Sequence, residues 1–154
     1  MGTAYFYHLT RKPLQETLPT LLEKALAAGW RIAVRGRDPQ RLAWLDEALW
    51  QGADRSFLAH GVAGGPHDAL QPILLTTSAQ APNAASCVMS VDGAEVTAEE
   101  VAALERVCIL FDGTDDEAVQ QARSQWKRLT EAGCRAQYWS EASGRWEKKA
   151  ESGA

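Results

Sequence analysis

The sequence lacks the residue patterns of metal, disulfide-rich and membrane proteins. Its three cysteines, Cys87, Cys108 and Cys134, are widely spaced and form no CxxC pair, whereas structural zinc sites need closely paired ligands. An odd, dispersed set also argues against a disulfide framework, so we expect reduced thiols in a cytoplasmic protein. No run of about 18 apolar residues occurs, and Met1 to Thr10 do not resemble a signal peptide. We therefore expect neither a metal site nor membrane contact.

The chain also lacks a surplus of positive charge. It carries 16 lysines and arginines against 20 aspartates and glutamates, a formal net charge of −4. A protein that binds nucleic acid directly needs clustered cations to neutralise phosphates. The composition therefore predicts no direct nucleic acid binding.

Short apolar segments alternate with amphipathic ones along the chain. Apolar or aromatic segments predict strands at 4–9, 30–34, 72–76, 86–91, 107–111 and 134–139, and helical periodicity predicts helices at 13–28, 39–49 and 115–132. Residues 51–70 are rich in glycine and predict a loop, and we expect a polar, disordered tail at 147–154 after a domain at 1–146. This alternation predicts one α/β domain with a mostly parallel sheet and helices on both faces.

Phosphate-binding motifs are missing where an α/β domain would carry them. The connection after the first strand, 8–13, contains no glycine, and no GxxxxGK[ST] segment is present. Glycines are needed there so that backbone N–H groups can approach a pyrophosphate. His8, at the end of that strand, has no serine or cysteine motif beside it. We expect no cofactor and no catalytic residue.

One segment imitates a catalytic motif. Residues 110–116, Leu-Phe-Asp-Gly-Thr-Asp-Asp, resemble the DxDGT strand end of haloacid-dehalogenase-type phosphatases, but Leu110 stands in place of the nucleophilic aspartate. Asp112 and Gly113 fit a turn that leaves a strand, and the acidic residues after Thr114 favour a helix amino end. A small α/β enzyme acting on a phosphorylated substrate remains the alternative interpretation.

Several segments resemble, in order, the chi subunit family of the bacterial DNA polymerase III holoenzyme. The matching segments are 6–9 (FYHL), 41–50 (RLAWLDEALW), 56–61 (SFLAHG), 72–75 (PILL), 106–112 (RVCILFD) and 123–127 (RSQWK). Ala59 departs from the family pattern, which has proline there. The resemblance implies a Rossmann-like fold and a non-catalytic accessory role in the clamp-loader complex.

The resemblance also implies two partners. Chi-like proteins bind the psi subunit through one surface and the acidic C-terminal tail of single-stranded DNA-binding protein through another. In such proteins the end of the second helix and the following loop contact psi, so the psi candidates here are Trp50 and Phe57. Aromatic residues near a loop are typical interface anchors, although a core role is the alternative. A regulatory module in another complex would have the same surface properties.

The tail candidates lie on the last long helix. Its predicted buried stripe comprises Ala118, Val119, Ala122, Trp126 and Leu129. Arg123 and Lys127, one turn apart, and Arg128 then face solvent, where they could bind an anionic peptide beside Trp126. A solvated charged face is the alternative. The resemblance implies a further cation one turn before Arg123, where Val119 stands.

Other cations could compensate for the residue at position 119. Arg128 follows on the same helix, and Arg145, Lys148 and Lys149 lie near the end of the chain.

Overall fold

The computed structural model describes residues 2–51, 60–78, 82–141, 143 and 145–152. Phe57 and residues 56–59 of the SFLAHG segment lie outside this range. The described strands are β1 (Thr3–Leu9), β2 (Ile32–Arg35), β3 (His60–Val62), β4 (Ile73–Thr76), β5 (Cys87–Ser90), β6 (Arg106–Asp112), β7 (Arg135–Ser140) and β8 (Glu147–Ser152). The described α-helices are α1 (Leu14–Ala27), α2 (Pro39–Trp50), α3 (Ala98–Ala103) and α4 (Asp116–Glu131), with a 3₁₀ turn at Asp68–Leu70.

The strands form one sheet in the order β3-β4-β2-β5-β6-β1-β7-β8. Every described pair is parallel except β7 with β8. The chain leaves β1 through α1 toward β2, and it leaves the adjacent β6 through α4 in the opposite direction toward β7. The carboxyl ends of β1 and β6 therefore flank a topological switch point, where doubly wound sheets usually bind ligands.

Helices cover both faces of the sheet, as the alternating pattern predicted. On one face, α1 and α2 pack on alternate residues of β2, β4, β5 and β6 to form an apolar core. On the other face, α3 and α4 pack on β1, β5, β6 and β7 around Phe6, which is fully buried. Because strand side chains alternate between faces, strands covered on both sides read as continuous apolar runs.

Helix α3 has no counterpart in the sequence prediction. It has only six residues, too few for a clear apolar period. Its start is nevertheless encoded, because Thr97 and Glu100 form a capping box in which each side chain accepts the other residue's backbone N–H. The T-x-x-E signature at Thr97–Glu100 was therefore the sequence feature from which the start of α3 could have been predicted.

Strand β8 lies within the segment predicted to be a disordered tail, and the structure differs from that prediction for Glu147–Ser152. These residues pair antiparallel with β7, with a register shift between Tyr138 and Trp139. The side chains of β8 are mostly exposed, and all but Ala150 are polar. Such an edge strand is stabilised by backbone pairing and not by burial of apolar side chains. Its sequence therefore lacks the alternating apolar pattern by which strands are predicted.

Candidate functional site

Local chemistry fixes both ends of α4, the helix that carries most of the predicted site residues. The Asp115 side chain caps its amino end by accepting a hydrogen bond from the Glu117 backbone N–H at 3.0 Å. Beyond its carboxyl end, Gly133 has φ +88°, a left-handed conformation that glycine adopts without strain. The helix is thus held in place at both termini.

The predicted inward stripe of α4 packs against the sheet. Ala122 and Leu129 are buried, and Ala118, Val119 and Trp126 are half-buried against the same core.

Gln125 is a further inward residue of α4 that the apolar pattern missed. It is only 2% exposed, and its Oε1 atom accepts a hydrogen bond from the Val96 backbone N–H at 3.3 Å. A polar core residue is invisible to a search for apolar periodicity. Its position between Ala122 and Leu129 at helical spacing was the only available signal.

Arg123 and Lys127 are exposed on the outer side of α4. They are one helical turn apart, so their charges lie on neighbouring parts of one surface. Neither side chain forms an ion pair or hydrogen bond with the part of the chain that the structure describes. Both cations are available to an anionic partner.

Arg128 lies on a different flank of the same helix. Arg128 is five residues after Arg123, so at about 3.6 residues per turn the two side chains point roughly 140° apart around the helix axis. Arg128 donates to the Val96 carbonyl at 3.3 Å and lies 3.9 Å from a carboxylate oxygen of Glu95. The structure therefore brings together Arg123, Trp126 and Lys127 but separates Arg128 from them.

Aromatic side chains adjoin Arg123. The Trp126 ring makes edge-to-face contacts with Phe6, at a centroid distance of 5.3 Å, and with Tyr138 on β7, at 6.0 Å. Burial raises the pKa of Tyr138, and the nearby positive charge of Arg123 partly offsets that rise. Tyr138 thus lies close to both Trp126 and Arg123, although no motif or residue spacing pointed to it.

The C-terminal cations suggested above as substitutes for a cation at position 119 have carboxylate neighbours of their own. Lys148 lies 3.2 Å from Glu151, and Lys149 and Arg145 lie 3.3 and 3.8 Å from Glu147. Their charges are therefore partly neutralised within the β8 segment.

Trp50 ends α2 and is 50% exposed, although it is a large apolar residue. Its ring lies 4.2 Å, centroid to centroid, from the ring of the buried His60. His60 Nε2 lies 3.1 Å from the Asp46 carbonyl oxygen and 3.2 Å from its carboxylate. The indole thus packs on a residue that is anchored to α2, and half of its surface is exposed.

A crevice of about 540 Å³ lies at the switch point. It is lined by the connections that follow β1 and β6, by Arg37 and Asp92 from neighbouring loops, and by Arg41 from the first turn of α2. Its position is the usual ligand site of doubly wound sheets, and its volume lies within the range of small-molecule pockets. If the chain were an enzyme, its substrate would be expected to bind in this crevice.

The Glu141 side chain binds the backbone N–H groups of the β1–α1 loop, which are the groups that could bind an anion. One carboxylate oxygen of Glu141 accepts hydrogen bonds from the backbone N–H groups of Thr10, Arg11 and Lys12, at 3.1, 2.9 and 3.0 Å. Burial raises the pKa of Glu141, but these hydrogen bonds and the charge of Lys12 outweigh it and lower the pKa overall. The N–H groups that could hold a phosphate are thus already bonded to a carboxylate.

The DxDGT-like segment forms a turn. Asp112 accepts hydrogen bonds from the Thr114 backbone N–H at 2.9 Å and hydroxyl at 2.6 Å, and these bonds lower the Asp112 pKa. A side chain at Gly113 would collide with the His8 ring, so glycine is required there for packing. Leu110, in the nucleophile position, is 2% exposed in the core beneath α1 and α2.

The described ranges also bear on two other kinds of site, for metal ions and for membranes. Within these ranges, no group of three or more histidine, cysteine, aspartate or glutamate side chains is placed to hold a metal ion. In the same part of the chain, no helix has the length and apolar character needed to cross a bilayer.

The sheet order, the helices on both faces and the switch-point crevice define a doubly wound α/β domain. The family model "DNA polymerase III chi subunit, HolC" matches residues 1–137. A protein of Rickettsia prowazekii (strain Madrid E), named "Probable DNA polymerase III subunit chi", is 24% identical over 111 residues, covering 69% of this chain and 67% of that protein. The chain therefore belongs to the DNA polymerase III chi subunit family, whose members are accessory subunits in DNA replication.

Proposed function

We propose that the chain is a non-catalytic adaptor of the replication machinery. One surface binds the psi subunit of the clamp-loader complex, and another binds the acidic C-terminal tail of single-stranded DNA-binding protein. Through these contacts the chain tethers the clamp loader to template coated by that protein. The family assignment supports a role within the polymerase, and surface geometry supports the two partners.

The observation that carries the tail proposal is the pair of exposed cations on α4. Arg123 and Lys127 lack partners within the described residues and adjoin the half-buried Trp126. In the family, the tail ends in aspartates followed by a phenylalanine with a free carboxylate. Such a peptide requires cations next to an apolar surface, because its charges and its last ring are only a few bonds apart.

Trp50 is the corresponding support for the psi contact. A half-exposed indole braced by a buried histidine keeps its orientation in the free protein, so little entropy is lost when a partner covers it. Tryptophan is also among the residues most enriched in binding hot spots. Phe57, the second psi candidate, lies outside the described residues and remains a prediction.

The two proposed surfaces lie on different faces and near different edges of the sheet. Trp50 lies on the face covered by α1 and α2 and contacts β3, at one edge of the sheet. Helix α4 lies on the opposite face and contacts β7, next to the other edge. This arrangement supports the proposal that both partners bind at once.

The absence of catalysis in this proposal rests on the switch-point loop. Glu141 bonds to the three backbone N–H groups that an enzyme of this architecture would offer to phosphate. Leu110 is a buried hydrocarbon at the position of the phosphatase nucleophile. These two features disfavour the alternative of an enzyme acting on a phosphorylated substrate.

A pull-down from cell extract tests the adaptor role. Wild type should capture clamp-loader components and single-stranded DNA-binding protein. Trp50→Ala should lose the former, and Arg123→Ala combined with Lys127→Ala should lose the latter. Capture of neither set would contradict the proposal, and capture of an unrelated complex would favour the regulatory-module interpretation.

A further inference from the structure

We infer that the crevice at the switch point binds a nucleoside monophosphate, with the base at its inner end and the phosphate at its mouth. Side chains of α4 and of the connections after β1 and β2 form the site, and the backbone N–H groups bonded to Glu141 take no part in it. The site binds its ligand without reacting with it, which agrees with a non-catalytic chain. The residues that line it do not include Trp50, Arg123 or Lys127, so the inference goes beyond the proposed partners and does not depend on them.

The inner end of the crevice has an unused hydrogen-bond donor. Gln125 lines the crevice and is only 2% exposed, and its Oε1 atom accepts a hydrogen bond from the Val96 backbone N–H at 3.3 Å. That contact fixes the orientation of the side-chain amide, because an N–H group bonds to the amide oxygen and not to its NH₂ group. The Nε2 group of Gln125 has no hydrogen-bond partner within the described residues. A donor left unpaired at this depth costs free energy unless a bound molecule accepts from it.

Gln121 supplies a matching acceptor. It lies one turn before Gln125 on α4 and also lines the crevice. Its Nε2 group donates to the Gly93 carbonyl oxygen at 2.7 Å, and its Oε1 atom has no partner in the part of the chain that the structure describes. A side chain at Gly93 would collide with this amide, so glycine makes room for it. The two amides together offer a free donor and a free acceptor, and the edge of every nucleobase presents hydrogen-bonding groups to match them.

The wall beside the two amides is apolar. Ile109 and Phe111 of β6 and Ala122 of α4 line the crevice and are buried in the core between the sheet and α4. The faces of a nucleobase are apolar, so they pack well on such a wall while the edge of the base bonds to the amides. The volume of about 540 Å³ is sufficient for a molecule of this size.

The mouth of the crevice has a cation that is available to a phosphate. Arg37, in the β2–α2 connection, is exposed and lines the crevice, and it forms no ion pair with the described residues. A guanidinium group donates two parallel hydrogen bonds to a phosphate. The other cations of the mouth are less available, because Lys12 acts on the Glu141 carboxylate and Arg41 lies 3.0 Å from Asp92.

The carboxylates of the mouth lie on its other side, at the amino end of α4. They belong to Asp112, Asp115 and Glu117, of which the first two accept hydrogen bonds within their own turns. A phosphate is repelled from that side and attracted to the side of Arg37. One available guanidinium opposite three carboxylates suits a single phosphate group, which is why the inferred ligand is a monophosphate.

The test is a titration followed in the amide spectra of the isotope-labelled full chain by nuclear magnetic resonance. The ligands are the 5′-monophosphates of adenosine, guanosine, cytidine and thymidine, with the four nucleosides and inorganic phosphate as references. Each is added to wild type and to Arg37→Ala. Arg135→Ala is the charge-matched control, because Arg135 is exposed at the amino end of β7, at the opposite end of the sheet from the crevice.

At least one monophosphate should bind to wild type with a dissociation constant of about 1 mM or less, and the side-chain NH₂ signals of Gln121 and Gln125 should shift. Its nucleoside and inorganic phosphate should each bind at least about tenfold more weakly, because each makes only part of the contacts. Arg37→Ala should weaken the monophosphate about tenfold and leave the nucleoside unchanged. Arg135→Ala should behave as wild type, and circular dichroism checks the fold of both variants.

Three results would overturn the inference. The first is that none of the four monophosphates binds. The second is that inorganic phosphate binds as tightly as the nucleotides, because the site would then recognise an anion and no base. The third is equal affinity in wild type and Arg37→Ala, which would place the nucleotide elsewhere on the chain. All three would leave the adaptor proposal standing, because its partners are tested on other surfaces.

Discussion

Arg123 and Arg128 lie on different flanks of the same helix. Arg123 stands beside Tyr138 and Trp126, whereas Arg128 contacts Glu95 and the Val96 carbonyl across the β5–α3 connection. A tail peptide bound beside Trp126 would therefore meet Arg123 and Lys127, and not Arg128.

Alanine replacements on α4 should accordingly fall into two groups. Arg123→Ala and Lys127→Ala should each weaken the tail peptide about tenfold or more, because charge-assisted hydrogen bonds contribute roughly 1.5–3 kcal/mol. Arg128→Ala should change the affinity less than about twofold and serves as the charge-matched control. Calorimetric titration measures all three, and a loss in Arg128→Ala equal to that in Arg123→Ala would place the peptide on the other flank.

Replacing Val119 with lysine should add the cation that the family resemblance implies at that position. Val119→Lys should bind the acidic peptide several-fold more tightly at low salt, because it adds a charge one turn from Arg123. Its affinity should also fall more steeply with added salt than that of wild type. Titration at two salt concentrations measures both effects. A variant with unchanged affinity and salt dependence would show that the peptide does not pass this turn of α4.

Trp50→Ala should abolish co-purification with the psi-like partner while the fold is retained. Loss of a central interface tryptophan typically costs about 2 kcal/mol or more of binding free energy. Trp44→Ala is the matched control, since Trp44 is also on α2 and 43% exposed, with the Arg41 guanidinium over its ring at 4.3 Å. Co-purification of Trp50→Ala at the wild-type level, with native circular dichroism, would remove Trp50 from the interface.

Glu141 should stabilise the fold most strongly at neutral pH. Its pKa is lowered in the folded state, so its contribution is present above the unfolded pKa of about 4.3 and is lost as the pH falls through the folded value. Glu141→Gln should lower the free energy of unfolding by about 2 kcal/mol at pH 7, since three backbone donors lose an ionised acceptor. Urea unfolding of both proteins measures the difference, which should shrink markedly near pH 3. A difference that does not depend on pH would show that the carboxylate charge contributes nothing.

Much of the fold could be predicted because its determinants are local. The near-continuous apolar run at Val107–Phe111 indicates a strand buried on both faces, and Gly133 marks the end of α4. The prediction missed α3, which is too short for a clear period, and β3, a three-residue strand within the predicted loop at 51–70. It also missed β8, whose polar side chains leave only backbone pairing to stabilise it. The position of β8 depends on long-range pairing with β7, which a local pattern does not record.

The candidate site was predictable only in part for a similar reason. Helical spacing predicted that Arg123, Lys127 and Arg128 face solvent, and all three are exposed, but Arg128 lies on another flank of α4 beside Glu95. Tyr138 joins them from another strand, and Glu141 reaches the β1–α1 loop from more than a hundred residues away in sequence. Contacts between distant segments follow from topology, so neither could be read from residue spacing.

Binding of both partners at once is the central claim, and one titration tests it most directly. The acidic tail peptide is titrated into the chain alone and into its preformed complex with the psi-like partner. Because Trp50 and α4 lie on opposite faces and near opposite edges of the sheet, the two affinities should agree within about twofold. Failure of the complex to bind the peptide, or displacement of the partner by it, would contradict the adaptor account.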